Sequence, residues 1–362
     1  MRGRKAGGVR REEEKTAHPR RIAIFRALQL GDLLCAVPAW RALRAAYPDA
    51  HITLIGLPWA RDFAQRYRHY IDGFIEFPGA PGLPERNADA SAGPGFVQRV
   101  RAMQLDLLVQ MHGSGELTNP LVADWGARAV AAFHRGADER DAAGVRLEWR
   151  EHEQEVLRNL RLVAAVDAAA CGAHLEFPVH PAEQRAAHRL TSTLRGDFAC
   201  LHPGARYPSR RWPAERFAAV SDALAQRGLQ VVITGAADES ALARSVMRHM
   251  RHPAADFTSR TTLGSFAALV SRARLVVCND TGMSHVASAV DAPSVVISSG
   301  ADAQRWRPLD EARHRMLWHD VHCRPCAHRV CPTAHECALG VGVEAVLAEA
   351  QRLLERETAR AA

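Results

Sequence analysis

The pair Gly31-Asp32 follows the apolar run Ile22-Ala23-Ile24-Phe25 by a few residues, where a strand would turn into a helix. A second run, "LDLLVQM", leads into His112-Gly113-Ser114-Gly115-Glu116. Three more lead into His202-Pro203-Gly204, into Gly235 with Asp238 and Glu239, and into Asn279-Asp280-Thr281-Gly282. Carboxylates and histidines gathered at one rim are candidates for proton transfer. Glycines among them permit turns and a close approach to the backbone.

"NDTGMSH" is the most informative of these stretches. Asp280 or Thr281 is a natural N-cap, and the helix that follows would present unpaired N–H groups and partial positive charge. That combination suits a phosphate, although a plain helix cap would look the same. His285 lies four residues beyond Thr281, on the same helical face. In "GARYPSRRWPAERFA", Arg210 and Arg211 stand just ahead of Trp212-Pro213, and Pro213 fits the first position of a helix. Arginine pairs bidentately with phosphate oxygens at any working pH. Lysine occurs only at Lys5 and Lys15, so arginines and backbone N–H groups must hold any phosphate. No Walker A sequence occurs, and no G-x-G-x-x-G follows the first strand, which argues against P-loop and dehydrogenase chemistry.

Cys323, Cys326, Cys331 and Cys337 have the spacing C-x2-C-x4-C-x5-C, with His322, His328 and His335 among them. Four thiols so close suggest a structural zinc or iron; reduced packing thiols are the plainer alternative. Cys35, Cys171, Cys200 and Cys278 adjoin apolar segments and are expected in the core.

These residues need a frame to bring them together. From residue 21 short apolar strands alternate with helical stretches, the pattern of βαβ units and parallel sheets. In "LLCAVPAWRALRAAYPDA", Leu33, Val37 and Trp40 share one helical face. Residues 78–98, rich in Gly, Pro and Ala, read as a long loop, and residues 177–190 as a connector, after which the alternation restarts. Two doubly wound halves would face each other across a cleft, and open α/β sheets bind ligands at the carboxyl ends of their strands. The expected organisation is a disordered charged leader (1–20), two Rossmann-like domains (21–180 and 190–345) and a C-terminal helix (346–362). The net charge of +7 comes from scattered arginines, so no nucleic-acid partner is expected. The charged N-terminus lacks the apolar segment of a secretory signal, and no run approaches the roughly 18 apolar residues of a membrane span. Cytoplasmic residence is the expectation.

In this order, "RALQLGDLLCAVPAWRALRAAYPDAHITLI", "HPGARYPSRRWPAERFAAV", "TGAADE" and "VVCNDTGMSHVASAVDAPSVVI" resemble glycosyltransferase family 9, the ADP-heptose:lipopolysaccharide heptosyltransferases. The cysteine-rich segment extends the resemblance, which covers roughly residues 20–345. It implies a GT-B fold, two Rossmann-like domains facing a central cleft, the first (21–180) binding the acceptor and the second (190–345) the nucleotide sugar. Together with the basic charge, the resemblance implies peripheral contact at the inner face of the membrane. It also implies inverting transfer of a heptose from a nucleotide-diphosphate donor, ADP-heptose by family, to a lipopolysaccharide core or other glycan, with no cofactor required for catalysis.

By the same resemblance Asp32 would be the general base, with Gly31 opening the acceptor side of its loop. Thr281, Gly282 and His285 would meet the donor, with Asp280 orienting that motif. Glu239 falls where the family places a donor-contacting glutamate, and Asp238 competes with it. The family has a lysine ahead of the Trp-Pro pair; here Arg210 and Arg211 stand there instead, and the assignment between them is open. Two rival classes are an epimerase-like GT-B enzyme, which would turn over donor without acceptor, and a non-enzymatic nucleic-acid-binding protein organised by the cysteines.

Overall fold

The structure is a computed structural model that describes residues 18–89, 91–136 and 144–361. Most of the expected leader therefore lies outside the described residues. The first half runs β1 (Arg21–Phe25), α1 (Leu30–Ala46), β2 (His51–Gly56), α2 (Ala60–Arg66), β3 (Gly73–Glu76) and α3 (Gly93–Ala102). It continues with β4 (Leu107–Gln110), α4 (Thr118–Ala123), β5 (Ala129–His134), β6 (Gly144–Glu148) and α5 (Glu155–Ala164).

The second half begins with α6 (Pro181–Thr191), β7 (Phe198–His202), α7 (Ala214–Gln226), β8 (Gln230–Ile233) and α8 (Ser240–His249). Then come β9 (Ala254–Asp256), α9 (Leu263–Val270), β10 (Leu275–Asn279), α10 (Gly282–Ala289) and β11 (Ser294–Ser298). The short α11 (Ala303–Trp306), β12 (His314–Trp318), α12 (Glu336–Leu339) and α13 (Val343–Ala361) complete it.

Each half is one six-stranded sheet, ordered β3-β2-β1-β4-β5-β6 in the first and β9-β8-β7-β10-β11-β12 in the second. All these strand pairs are parallel. The two orders are the same topology used twice. In each, the direction of winding reverses beside the first strand, between β1 and β4 and between β7 and β10. Ligands bind at such reversals, outside the carboxyl ends of the strands. The residues singled out above follow β1, β4, β7, β8 and β10, so the topology itself gathers most of them.

Two segments differ from their sequence reading. The loop expected over 78–98 ends earlier, because α3 starts at Gly93 with Pro94 in its first turn. The connector at 177–190 contains α6: His180 and Glu183 close a capping box and Pro181 takes the first helical position.

The halves are welded rather than tethered. Leu33, Val37 and Trp40 of α1 are all fully buried. So are Leu34, Ala36 and Ala39 on its other sides, because α1 packs on α5 and on α10 of the second half. A helix apolar all round is a buried helix. One apolar cluster runs from Ile24 and Val109 through Trp40 to Val286 and Val296. Among the described residues no helix is long and apolar enough to cross a membrane.

Candidate active site

Asp32 is the third residue of α1, and that position gives it two tasks. Its carboxylate accepts the backbone N–H of Gln29 at 3.2 Å, closing a capping box at the helix start. It also lines two cavities at once. One, of about 460 Å³, is bounded by Arg206, Arg210, Glu239, Thr281 and His285 of the second half. The other, of about 440 Å³, is bounded by Glu85, His112, Glu116 and Leu117 of the first half. Asp32 thus stands at the junction of the two cavities. Burial pushes its carboxyl above the usual carboxylate value, against the pull of Arg26, whose Nη2 is 3.8 Å away.

The second wall is the start of α10. Thr281 is extended and caps the helix, its hydroxyl accepting the N–H of Met283 at 3.3 Å. Met283, Val286 and Ala287 anchor the helix in the core, leaving its N-terminal N–H groups at the cavity. Asp280 lines the same cavity and accepts from the Ser298 hydroxyl at 3.0 Å. Burial pushes its carboxyl up to about 6, against that hydrogen bond and the charges of Arg210 and Arg324. Near neutral pH Asp280 is therefore still mostly ionised, and it faces the Ser298 hydroxyl and the two arginines. Burial also brings His285 down to about 4, which keeps its imidazole neutral beside the Cys35 thiol, 3.6 Å away.

Of the two arginines, Arg210 reaches the cavity; Arg211 is not among its lining residues and spends its Nε on the Ala205 carbonyl at 2.9 Å. Arg210 ends a single 3-10 turn, Pro208–Arg210, and donates to the Cys326 carbonyl. That turn is clamped by the cysteine-rich loop. Ser209 donates to the carbonyls of Arg329 and His328, at 3.2 and 2.5 Å, and His335 Nε2 lies 2.9 Å from the Ser209 carbonyl oxygen. Glu239 also lines the cavity, held by the Ala236 N–H at 2.8 Å, whereas Asp238 is exposed and does not. Gly204 makes room for it, since a Cβ there would come within 2.1 Å of the Glu239 carboxylate. Asn279 braces the whole corner, accepting from the Trp212 N–H at 2.9 Å and donating to the Pro203 carbonyl at 2.8 Å.

Residues 96–336 match the family model of glycosyltransferase family 9 (heptosyltransferase). The chain belongs to glycosyltransferase family 9. Similar proteins include lipopolysaccharide heptosyltransferase 3 of Escherichia coli, 25% identical over 295 residues, which span 77% of this chain and 83% of that one. The family 9 glycosyl transferase of Veillonella parvula superposes with a TM-score of 0.77 at 22% identity, over 93% of this chain and 98% of that one. The E. coli ADP-heptose heptosyltransferase II does so at 0.72 and 19%, over 93% and 99%. The two sheets are accordingly the two halves of a GT-B glycosyltransferase.

Three expectations for this transferase need revision. Gly31 lies within α1, not in a loop, and while it lines the first cavity it also packs closely against protein. A Cβ there would come within 2.6 Å of His285 Cδ2. The reciprocal contact has Gly282 of α10 against Leu30, so the two helix starts touch through glycines. We expect Gly31→Ala to destabilise the protein by roughly 1–3 kcal/mol in thermal unfolding. Gly93→Ala, where a Cβ would meet nothing within 4 Å among the described residues, is its control. Equal melting of both variants would show that the helix contact yields without cost.

Second, the cysteines. Cys323, Cys326, Cys331 and Cys337 line one small cavity with His322, His328 and His335. Their sulfurs sit at different depths, Cys323 exposed and Cys337 buried. No three His, Cys, Asp or Glu groups among the described residues are placed to hold one metal ion. The expected structural zinc or iron is therefore unsupported by this arrangement, and what the loop visibly does is clamp the Arg210 turn. Third, Cys171 is exposed beyond α5, whereas Cys35, Cys200 and Cys278 are core residues as expected.

Sequence reading also passed over residues that line both cavities, Arg206 and Trp306. Arg206 lay within the "HPGARYPSRRWP" stretch but off any motif position. Trp306 belongs to a four-residue helix with no periodicity to reveal it.

Proposed function

We propose that this transferase moves a heptose, with inversion, from ADP-heptose to a lipopolysaccharide core acceptor. The observation that carries the reading is Asp32, shared between a cavity walled by a helix N-terminus and Arg210 and a second cavity of similar volume. The relatives named above, called heptosyltransferases, support the choice of sugar. In this scheme the donor diphosphate lies against the start of α10, Thr281 and Arg210, and the acceptor sugar fills the cavity beside His112 and Glu116. Asp32 takes the proton of the acceptor hydroxyl as its oxygen bonds to the anomeric carbon. The bond from that carbon to the diphosphate oxygen breaks on the opposite face, and ADP leaves with the electron pair. Arg210 and the N–H groups of α10 meet the charge that grows on the departing phosphate, the kind of preorganised stabilisation on which such a step depends most. Glu239 contacts the nucleoside end.

Calorimetry with ADP, UDP and GDP tests the donor half of this reading. Selective binding of ADP is the expected result and justifies transfer assays with ADP-heptose. Preference for UDP or GDP would overturn the donor while leaving the fold and family untouched.

A further inference from the structure

Glu155 is a buried carboxylate that the scheme above does not use. It opens α5, is 2% exposed, and accepts from three guanidinium groups. Arg26 Nη2 reaches it at 2.8 Å, Arg158 Nη1 at 2.5 Å and Arg305 Nε at 2.8 Å. Each comes from a different place: the end of β1, α5 itself, and α11 of the second half. A carboxylate so surrounded stays ionised; the three cations overcome the burial penalty and bring it down to about 2.

Two of these arginines also flank Asp32. Arg26, 1% exposed, donates through Nε to the Asp32 backbone carbonyl at 2.8 Å, and its Nη2 is shared between Glu155 and Asp32 Oδ1. Arg305 lines the acceptor-side cavity with Asp32. The seat of α11 is built for this delivery. Asp302 caps the helix and meets His152 Nδ1 at 2.8 Å, while Gln154 Nε2 donates to the Arg307 carbonyl at 2.9 Å.

We propose that Glu155 is a positioning residue for transfer: it holds Arg26 against Asp32 and receives Arg305 from the second half, so that seating α11 completes the charge environment of the base. The inference rests on the reading of Asp32 as that base. Glu155 and Asp32 compete for one guanidinium, and Arg305 offsets the competition. The other charged or titratable groups that face Asp32 are Arg206, Arg210, His202, Glu239, Asp280 and neutral His285 across the first cavity, Glu85, His112 and Glu116 across the second, Cys35 on its own helix, and Arg158 behind Glu155.

The competition predicts opposite shifts, which a merely structural role does not. Glu155→Gln removes the rival anion and frees Arg26 for Asp32, so the Asp32 carboxyl should titrate lower, by about one pH unit. Arg305→Met removes a cation, so it should titrate higher by a similar amount. Arg305→Lys should bring it back towards wild type. Difference infrared spectroscopy of the full chain reads this directly, through the carboxyl band present in wild type and missing in Asp32→Asn. The acid limb of kcat with ADP-heptose and a core oligosaccharide should move the same way. Unmoved titration, or shifts of one sign in both variants, overturns the inference. Should Glu155→Gln fail to fold, the Met and Lys variants of Arg305 carry the test. Full activity in Asp32→Asn would instead sink the base assignment, and the infrared titration would still report whether Glu155 and Arg305 act on that carboxyl.

Discussion

Asp32→Asn should lower the rate of transfer by about 10²- to 10⁴-fold, with ADP binding close to wild type. The size follows from what a positioned base contributes, and the choice of asparagine from the structure. Asp32 caps α1 by accepting the Gln29 N–H, and an asparagine carbonyl can accept the same hydrogen bond. The substitution therefore removes the proton acceptor and leaves the cap. Asp32→Ala removes both, and should cost about 1 kcal/mol of stability in addition. A base that works ionised also has a pH signature. Burial holds the Asp32 carboxyl above its ordinary value. Transfer should be complete above that raised value and lost as pH falls through it, so the acid limb lies higher than for a free carboxylate. Wild-type transfer by Asp32→Asn, with stability unchanged, would reduce Asp32 to its capping role.

Arg210→Ala should weaken ADP binding by about 10- to 100-fold, the equivalent of one charge-assisted hydrogen-bonded contact to a phosphate. Arg211→Ala should change it little. The two residues are neighbours of identical type, and only their surroundings separate them. Arg210 lines the cavity, anchored through one nitrogen to the Cys326 carbonyl, while its Nη1 is buried without a hydrogen-bond partner among the described residues. A buried donor left unmet is costly, and a phosphate oxygen is a fitting acceptor for it. Arg211 already holds the Ala205 carbonyl. Arg210→Lys should restore part of the affinity, since a lysine keeps the charge but loses the planar fork. Calorimetric titration of the three variants with ADP decides the matter. Equal losses from Arg210→Ala and Arg211→Ala would mean that the diphosphate binds elsewhere along this wall.

What the sequence alone determined here is what short-range pattern can encode. Apolar runs such as Ile22–Phe25 and Leu275–Cys278 can be satisfied only as buried strands, and the helical stretches between them impose parallel sheets. Once the strands are parallel, whatever follows their carboxyl ends shares one rim, so Asp32, Asp280, His285 and the pair Asp238-Glu239 could be named before any coordinates. Motif order then carried the family.

The tertiary structure decided everything that depends on which way a side chain is aimed by residues far off in the chain. Arg210 rather than Arg211 enters the cavity because the loop at 326–335 clamps the turn that bears it. Glu239 rather than Asp238 faces inward because the Ala236 N–H and the bare Gly204 leave it that place. Gly31, which lines the cavity, is also where His285 of the other half packs, a contact no local pattern announces. Glu155 and Arg305 are 150 positions apart and carry no motif, yet they meet at 2.8 Å beside the candidate base. Local spacing sets backbone form within a few turns; a contact between two sheets is set by how their surfaces pack, which no local pattern records.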